Sequence, residues 1–126
     1  MKTPISAKVA IFGLSAASQR YAYLAAKKLL AHGYQNLVGI HPNCQEVLGI
    51  PVVASIREIE EPIHTLTMYI GPAKAERLSE DIIHAKPQRI IFNPGSESQR
   101  LASLAKDKDI QVHYGCTLVM LGSGSF

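Results

Sequence analysis

The sequence predicts a doubly wound α/β domain, with a mostly parallel sheet of five to six strands between two helical layers, in a single domain spanning residues 1–126. Three observations predict it. Short apolar runs alternate with segments of helical periodicity, which is the pattern of βαβ units. Several of those runs are apolar without a break, as strands covered on both faces must be. The chain's 126 residues suffice for one core of that size and leave no room for a second domain.

Val9, Ala10, Ile11 and Phe12 form the first such run, and Gly13 stops it. After Leu14, Ser15, Ala16, Ala17 and Ser18 the spacing becomes helical, with Ala22, Ala26, Leu29 and Leu30 on one face and Gly33 as terminator. Asn36 to Ile40 reads as a second buried strand, ending in the turn cluster His41-Pro42-Asn43. Cys44 to Gly49 reads as a short turn or helical piece, and Pro51 to Ala54 as a third strand. Ser55 and Glu58 have capping-box spacing. Thr65 to Ile70 is a fourth strand, stopped by Gly71-Pro72. Ala75, Leu78 and Ile82 mark one helix from about Ala73 to Ala85. Arg89 to Phe92 is a fifth strand turned by Asn93-Pro94-Gly95, and Ser96 with Gln99 caps a helix carrying Leu101, Leu104 and Ala105 inward. Ile110 to His113 is the last strand, and the tail from Thr117 to Phe126 is apolar enough to dock at least through Leu121.

The stretch from Lys8 to Arg20 is where function is legible. A strand, a turn of small residues and a helix together aim the first free N–H groups and the positive end of the helix dipole at the space above the strand, where an anionic phosphate is stabilised. Gly13, Leu14, Ser15 and Ser18 spell GxSxxS, a degraded form of the dinucleotide fingerprint GxGxxG. Serines keep most of the close approach and add hydroxyl donors. Three further loops, at His41-Pro42-Asn43, Gly71-Pro72 and Asn93-Pro94-Gly95-Ser96-Glu97, fall at strand carboxyl ends, the edge where open α/β sheets bind ligands. Each taken singly is ordinary turn punctuation. A plain NAD site places Asp or Glu at the end of the second strand, and here Ile40 and His41 stand there. A nucleotide with a phosphate on its ribose is therefore favoured, either coenzyme A or NADP, with Arg20 or His41 to supply the charge.

At 47% hydrophobic and 18% charged the composition is that of a soluble globular protein, and no apolar run approaches the roughly 20 residues of a membrane span. The start, MKTPISAK, has no apolar leader region, so the expected setting is cytoplasmic. Two cysteines, Cys44 and Cys116, lie far apart, as reduced thiols do. The net charge of +3 comes from scattered lysines and arginines rather than a stripe, which suits small anions better than nucleic acid.

The chain resembles the CoA-binding domain proteins, Rossmann-like domains similar to the nucleotide-binding part of succinyl-CoA synthetase α subunits and NDP-forming acyl-CoA synthetases. The resemblance runs over nearly the whole chain. It is carried by GLSAASQR from Gly13, LLAHGY from Leu29, IHPNCQEVLGIPVVASI from Ile40, NPGSE from Asn93 and GCTLVML from Gly115. It implies a cofactor lying across Gly13, Ser15 and Ser18, adenosine near His41, Pro42 and Asn43, and an extended arm passing Gly71, Pro72, Asn93, Pro94 and Gly95. Relatives carry more Lys or Arg in the first loop, where this chain has Ala16, Ala17, Ser18 and Gln19 before Arg20.

No catalytic constellation completes itself. His32, His41, His64, His84 and His113 lack metal-ligand spacing, no GxSxG elbow is present, and a synthetase would need a phosphorylatable His and an ATP-grasp partner domain. Cys116 reads either as a small buried hydrophobe beside Leu118, Val119 and Met120 or as a reactive thiol. Glu97 reads as a capping residue or as a general base. The sequence thus points to a non-catalytic module that binds, senses or carries CoA or an acyl-CoA. Two alternatives stay open: an NADP-dependent oxidoreductase, and an interaction protein with a vestigial nucleotide site. The expected partner is a small-molecule nucleotide, not nucleic acid or membrane, and a homodimer or another protein partner is left open.

Overall fold

The computed structural model describes residues 3–126; Met1 and Lys2, on which part of the leader reading falls, lie outside them. Six strands run parallel: β1 (Val9–Phe12), β2 (Leu37–Ile40), β4 (Ile50–Val53), β5 (Thr65–Met68), β6 (Arg89–Phe92) and β7 (Gln111–Tyr114). A seventh, β3 (Glu46–Val47), pairs antiparallel with β4. The order across the sheet is β3-β4-β2-β1-β5-β6-β7. The chain therefore winds outward from β1 to one side and then returns to wind outward on the other, so the crevice of the doubly wound sheet opens at the carboxyl ends of β1 and β5.

Alternation along the strands sorts side chains into two cores. Ala10 and Phe12 face one layer with Leu66, Met68, Ile90 and Phe92, covered by α2 (Pro72–Arg77), α3 (Ser79–Ala85) and α4 (Gln99–Asp107). Val9 and Ile11 face the other with Leu37 and Ile91, covered by α1 (Tyr21–Ala31) and α5 (Thr117–Ser123). All four residues of β1 are buried, as an unbroken apolar run requires.

The six strands expected from the apolar runs are present, with ends displaced by one or two residues. The stretch Cys44 to Gly49 is the largest departure. It forms the first arm of a hairpin, because Leu48 and Gly49 both adopt positive φ (55° and 79°) in the two-residue turn whose twist matches paired strands. The expected helix from Ala73 to Ala85 is two helices broken at Leu78, where buried Ser79 donates its hydroxyl back to the Ala75 carbonyl at 2.9 Å. In α1, Ala25 joins the buried face with Ala22, Ala26 and Leu29. Leu30 lies a quarter turn off that face and is exposed. Helix α4 is capped by Ser98, whose Oγ accepts from the Leu101 N–H at 3.2 Å, while Ser96 turns back to Asn93. The Ser55 capping box forms as expected.

The tail docks through Leu121, as expected, and again at its last residue, with Gly122 to Ser125 exposed between. Phe126 is buried, with its ring edge-on to Tyr34 and the Arg89 guanidinium 5.0 Å from its centroid. Its carbonyl accepts from the N–H and hydroxyl of Thr3.

Candidate functional site

The turn after β1 is held by its backbone. Gly13 continues the ladder by donating to the Ile40 carbonyl at 2.8 Å, and Tyr69 donates to the Phe12 carbonyl at 2.9 Å. The φ of Gly13 is +97°, and a Cβ placed there would stand 3.0 Å from the Tyr69 carbonyl oxygen. Both facts call for glycine. Leu14 is fully buried, and its side chain packs where a Cβ on Gly39 would come within 2.7 Å of it. It is therefore an anchor beneath the turn rather than part of the ligand surface. Ser15 is half-buried, its Oγ 3.4 Å from the Ala17 N–H, and Ser18 and Arg20 are exposed.

Helix α1 starts at Tyr21 without a side-chain cap. The first intrahelical bond runs from Leu24 to the Arg20 carbonyl, so the N–H groups of Tyr21, Ala22 and Tyr23 find no acceptor among the described residues. Beside them opens a cleft of about 220 Å³ whose walls include Gly13, Arg20, Tyr69, Gly71, Pro94 and Gly95. A second hollow of about 190 Å³ meets the first at Gly13 and Ile70 and reaches His41 and Pro42. A third, of about 450 Å³, adjoins that one at Pro42 and Ala54 and reaches Asn43 and Cys44. The three adjoin in turn and make up a trough along the carboxyl edge of the sheet, the edge at which open α/β sheets bind ligands.

The His41 ring accepts from the Asn43 N–H at Nδ1 (3.0 Å), which leaves Nε2 to carry the ring's proton. Two carboxylates line the trough, and both are engaged: Asp81 with Arg57 at 2.6 Å, and Glu58 with the Ser55 N–H at 2.9 Å. Lys74 lines the second hollow. It was one of the scattered cations in the sequence, although its place three residues after Gly71, on the first turn of α2, was a usable signal. Tyr69 and Ile70 were missed because large side chains at strand ends look the same whether they line a cleft or a core, whereas Ser96 belongs to the loop the sequence placed on this edge.

The loop after β6 behaves differently from its sequence reading. Pro94 and Gly95 are exposed and Gly95 has φ +91°, while the Ser96 N–H donates to the Asn93 carbonyl at 2.9 Å, closing a type II turn. Asn93 itself is buried, with its amide directed inward. Pro94, Gly95 and Ser96 are what the loop offers to the cleft. Glu97, exposed, accepts from the Gly95 N–H at 2.9 Å and braces this turn rather than the helix end. Cys116 is half-buried at the start of α5, and its charge when ionised would be felt by Tyr69. The Tyr69 hydroxyl is buried with no hydrogen-bond partner among the described residues, and burial pushes its pKa up to about 12, opposed by the nearby Thr117 hydroxyl and less by that of Thr67. Among the described residues no cluster of His, Cys, Asp or Glu could hold a metal ion, and no helix is long and apolar enough to cross a membrane.

Comparison with known proteins agrees with this geometry. An uncharacterized protein of known crystal structure superposes with a TM-score of 0.89 at 37% identity, over 96% of this chain and 98% of its own. The dinucleotide-forming acetyl-coenzyme A synthetase 1 of Ca. Korarchaeum cryptofilum, solved with phosphate and ADP, matches with a TM-score of 0.74 over 84% of this chain and 25% of its own; at 14% identity that likeness is one of fold. The uncharacterized protein YneT of Bacillus subtilis (strain 168) is 22% identical over 103 residues, covering 82% of this chain and 76% of YneT. A family described as the CoA binding domain matches residues 7–122. Because that match spans nearly the whole chain, the chain belongs to the CoA-binding domain family.

Proposed function

We propose that this chain binds coenzyme A or an acyl-CoA along the trough and acts as a non-catalytic binding, sensing or carrier module. The observation that carries the reading is the junction at Gly13: a backbone with no room for a Cβ, beside three unpartnered N–H groups at the start of α1, between two connected hollows. A diphosphate seated there is stabilised by the dipole end and by Arg20. The adenosine then lies toward His41, Pro42 and Asn43, with Lys74 and the His41 ring as the groups nearest a ribose phosphate, and the pantetheine arm runs past Gly71, Pro94 and Gly95. At the end of β2 His41 stands where a plain NAD site has a carboxylate, which favours CoA over NAD. The free cysteines Cys44 and Cys116 suit a reducing, cytoplasmic setting.

Calorimetric titration with CoA, dephospho-CoA, NADP and NAD tests the reading. CoA should bind, and bind more tightly than its dephospho form. Equal affinity for dephospho-CoA or NAD removes the inference from the missing acid, and tighter binding of NADP turns the reading toward an oxidoreductase.

A further inference from the structure

The Asn93 amide makes three hydrogen bonds, all to buried groups of the protein. Its Nδ2 donates to Thr67 Oγ1 at 2.7 Å and to the Met68 carbonyl at 2.9 Å, and its Oδ1 accepts from the Thr117 N–H at 2.8 Å. The backbone partners fix the amide's orientation, since a carbonyl demands the NH2 end and an N–H demands the oxygen. Thr67 and Thr117 close the set with a hydroxyl contact of 2.8 Å, and all three residues are buried. The Asn93 carbonyl meanwhile accepts from both the N–H and the hydroxyl of Ser96, at 2.9 and 2.7 Å. One residue thus ties the end of β5 and the start of α5 to the turn that walls the cleft.

We infer that Asn93, held by Thr67 and Thr117, is the positioning residue of the ligand site: it sets the Pro94-Gly95-Ser96 turn against the trough and couples it to the seating of α5. This deepens the CoA reading and rests on it for the identity of the ligand. Thr67→Val keeps the shape of the side chain and removes the hydroxyl, leaving one Asn93 N–H buried without a partner, a loss that corresponds to about tenfold in an equilibrium constant. Thr67→Ser restores the hydroxyl.

The test has two arms. Amide hydrogen exchange on the ligand-free protein should show the Thr117 and Ser96 N–H groups exchanging about tenfold faster in Thr67→Val, with the β1 amides unchanged and Thr67→Ser like wild type. Titration with CoA should show about tenfold weaker binding in Thr67→Val and recovery in Thr67→Ser. Unchanged exchange at Thr117 and Ser96, or a uniform acceleration across the sheet, overturns the inference, as does full CoA affinity in a folded Thr67→Val. Should Thr67→Val fail to fold, Thr67→Ala removes the same acceptor from Asn93 with less bulk and is read in the same way. Failure of the wild type to bind CoA counts against the function proposed above, and the exchange arm still decides the role of Asn93.

Discussion

Two glycines at the centre of the sheet carry opposite kinds of constraint. Gly13 is held at a φ that disfavours any side chain, next to a carbonyl that cannot move aside. Gly39 has an ordinary φ, and it is the Leu14 side chain that excludes a Cβ there. Gly39→Ala should therefore destabilise by about 1–3 kcal/mol through overpacking, and combining it with Leu14→Ala should cost less than the sum of the two changes, because Leu14→Ala removes the nearest contact, at 2.7 Å, although the Leu14 Cβ and Val52 at 3.0 Å remain. Urea denaturation of the three variants measures this, and strict additivity would mean that Leu14 yields freely. His64 gives a pH dependence. Its Nδ1 lies 2.8 Å from Thr65 Oγ1, to which Arg89 Nε donates at 3.2 Å, so a neutral ring can accept the hydroxyl proton whereas a charged one adds a second cation there. Burial, and then the Arg89 charge, lowers its pKa from the ordinary 6.5. The unfolded chain binds that proton more readily, so the contribution is full above about pH 6.5 and is lost as pH falls through the folded-state value. His64→Gln should flatten the decline of the denaturation midpoint below about pH 6.5; an unchanged decline would assign it to other groups. At this scale the GxSxxS turn and the Asn-Pro-Gly-Ser turn were legible in the sequence, since positive φ selects glycine. The inward direction of Leu14 and Asn93 was not, because nothing local tells which way a side chain at a strand end will turn.

Apolar runs and breakers located most elements correctly, and two of the misplacements share one cause: a short polar side chain choosing a backbone partner. Ser98 rather than Ser96 caps α4 because the Ser96 hydroxyl is already taken by the Asn93 carbonyl. Ser98→Ala should cost about 1 kcal/mol in thermal or urea unfolding, and a neutral result would show that the helix start is held by packing alone. Ser79 breaks the expected helix between α2 and α3 through its bond to Ala75. The β3–β4 hairpin was hidden because its turn uses Leu48 at a positive φ, where Asn, Asp or Gly would have announced it.

For the whole molecule, strand order is what turns separate loops into one site. Four stretches scattered from Gly13 to Gly95 meet along one trough because β1 lies between β2 and β5 and every connection but the β3–β4 hairpin returns to the same edge. That convergence was expected from the alternation of elements, and the family match bears out the fold and the general class of ligand. The central claim is that the ligand's phosphates sit at the Gly13 turn. Calorimetric titration of CoA into wild type and Ser15→Glu tests it most directly, because the new carboxylate places negative charge in the turn between β1 and α1 and narrows it. The account predicts heat of binding in the wild type and none in a Ser15→Glu protein with unchanged circular dichroism and melting. Equal CoA affinity in that folded variant would contradict it and place the ligand elsewhere.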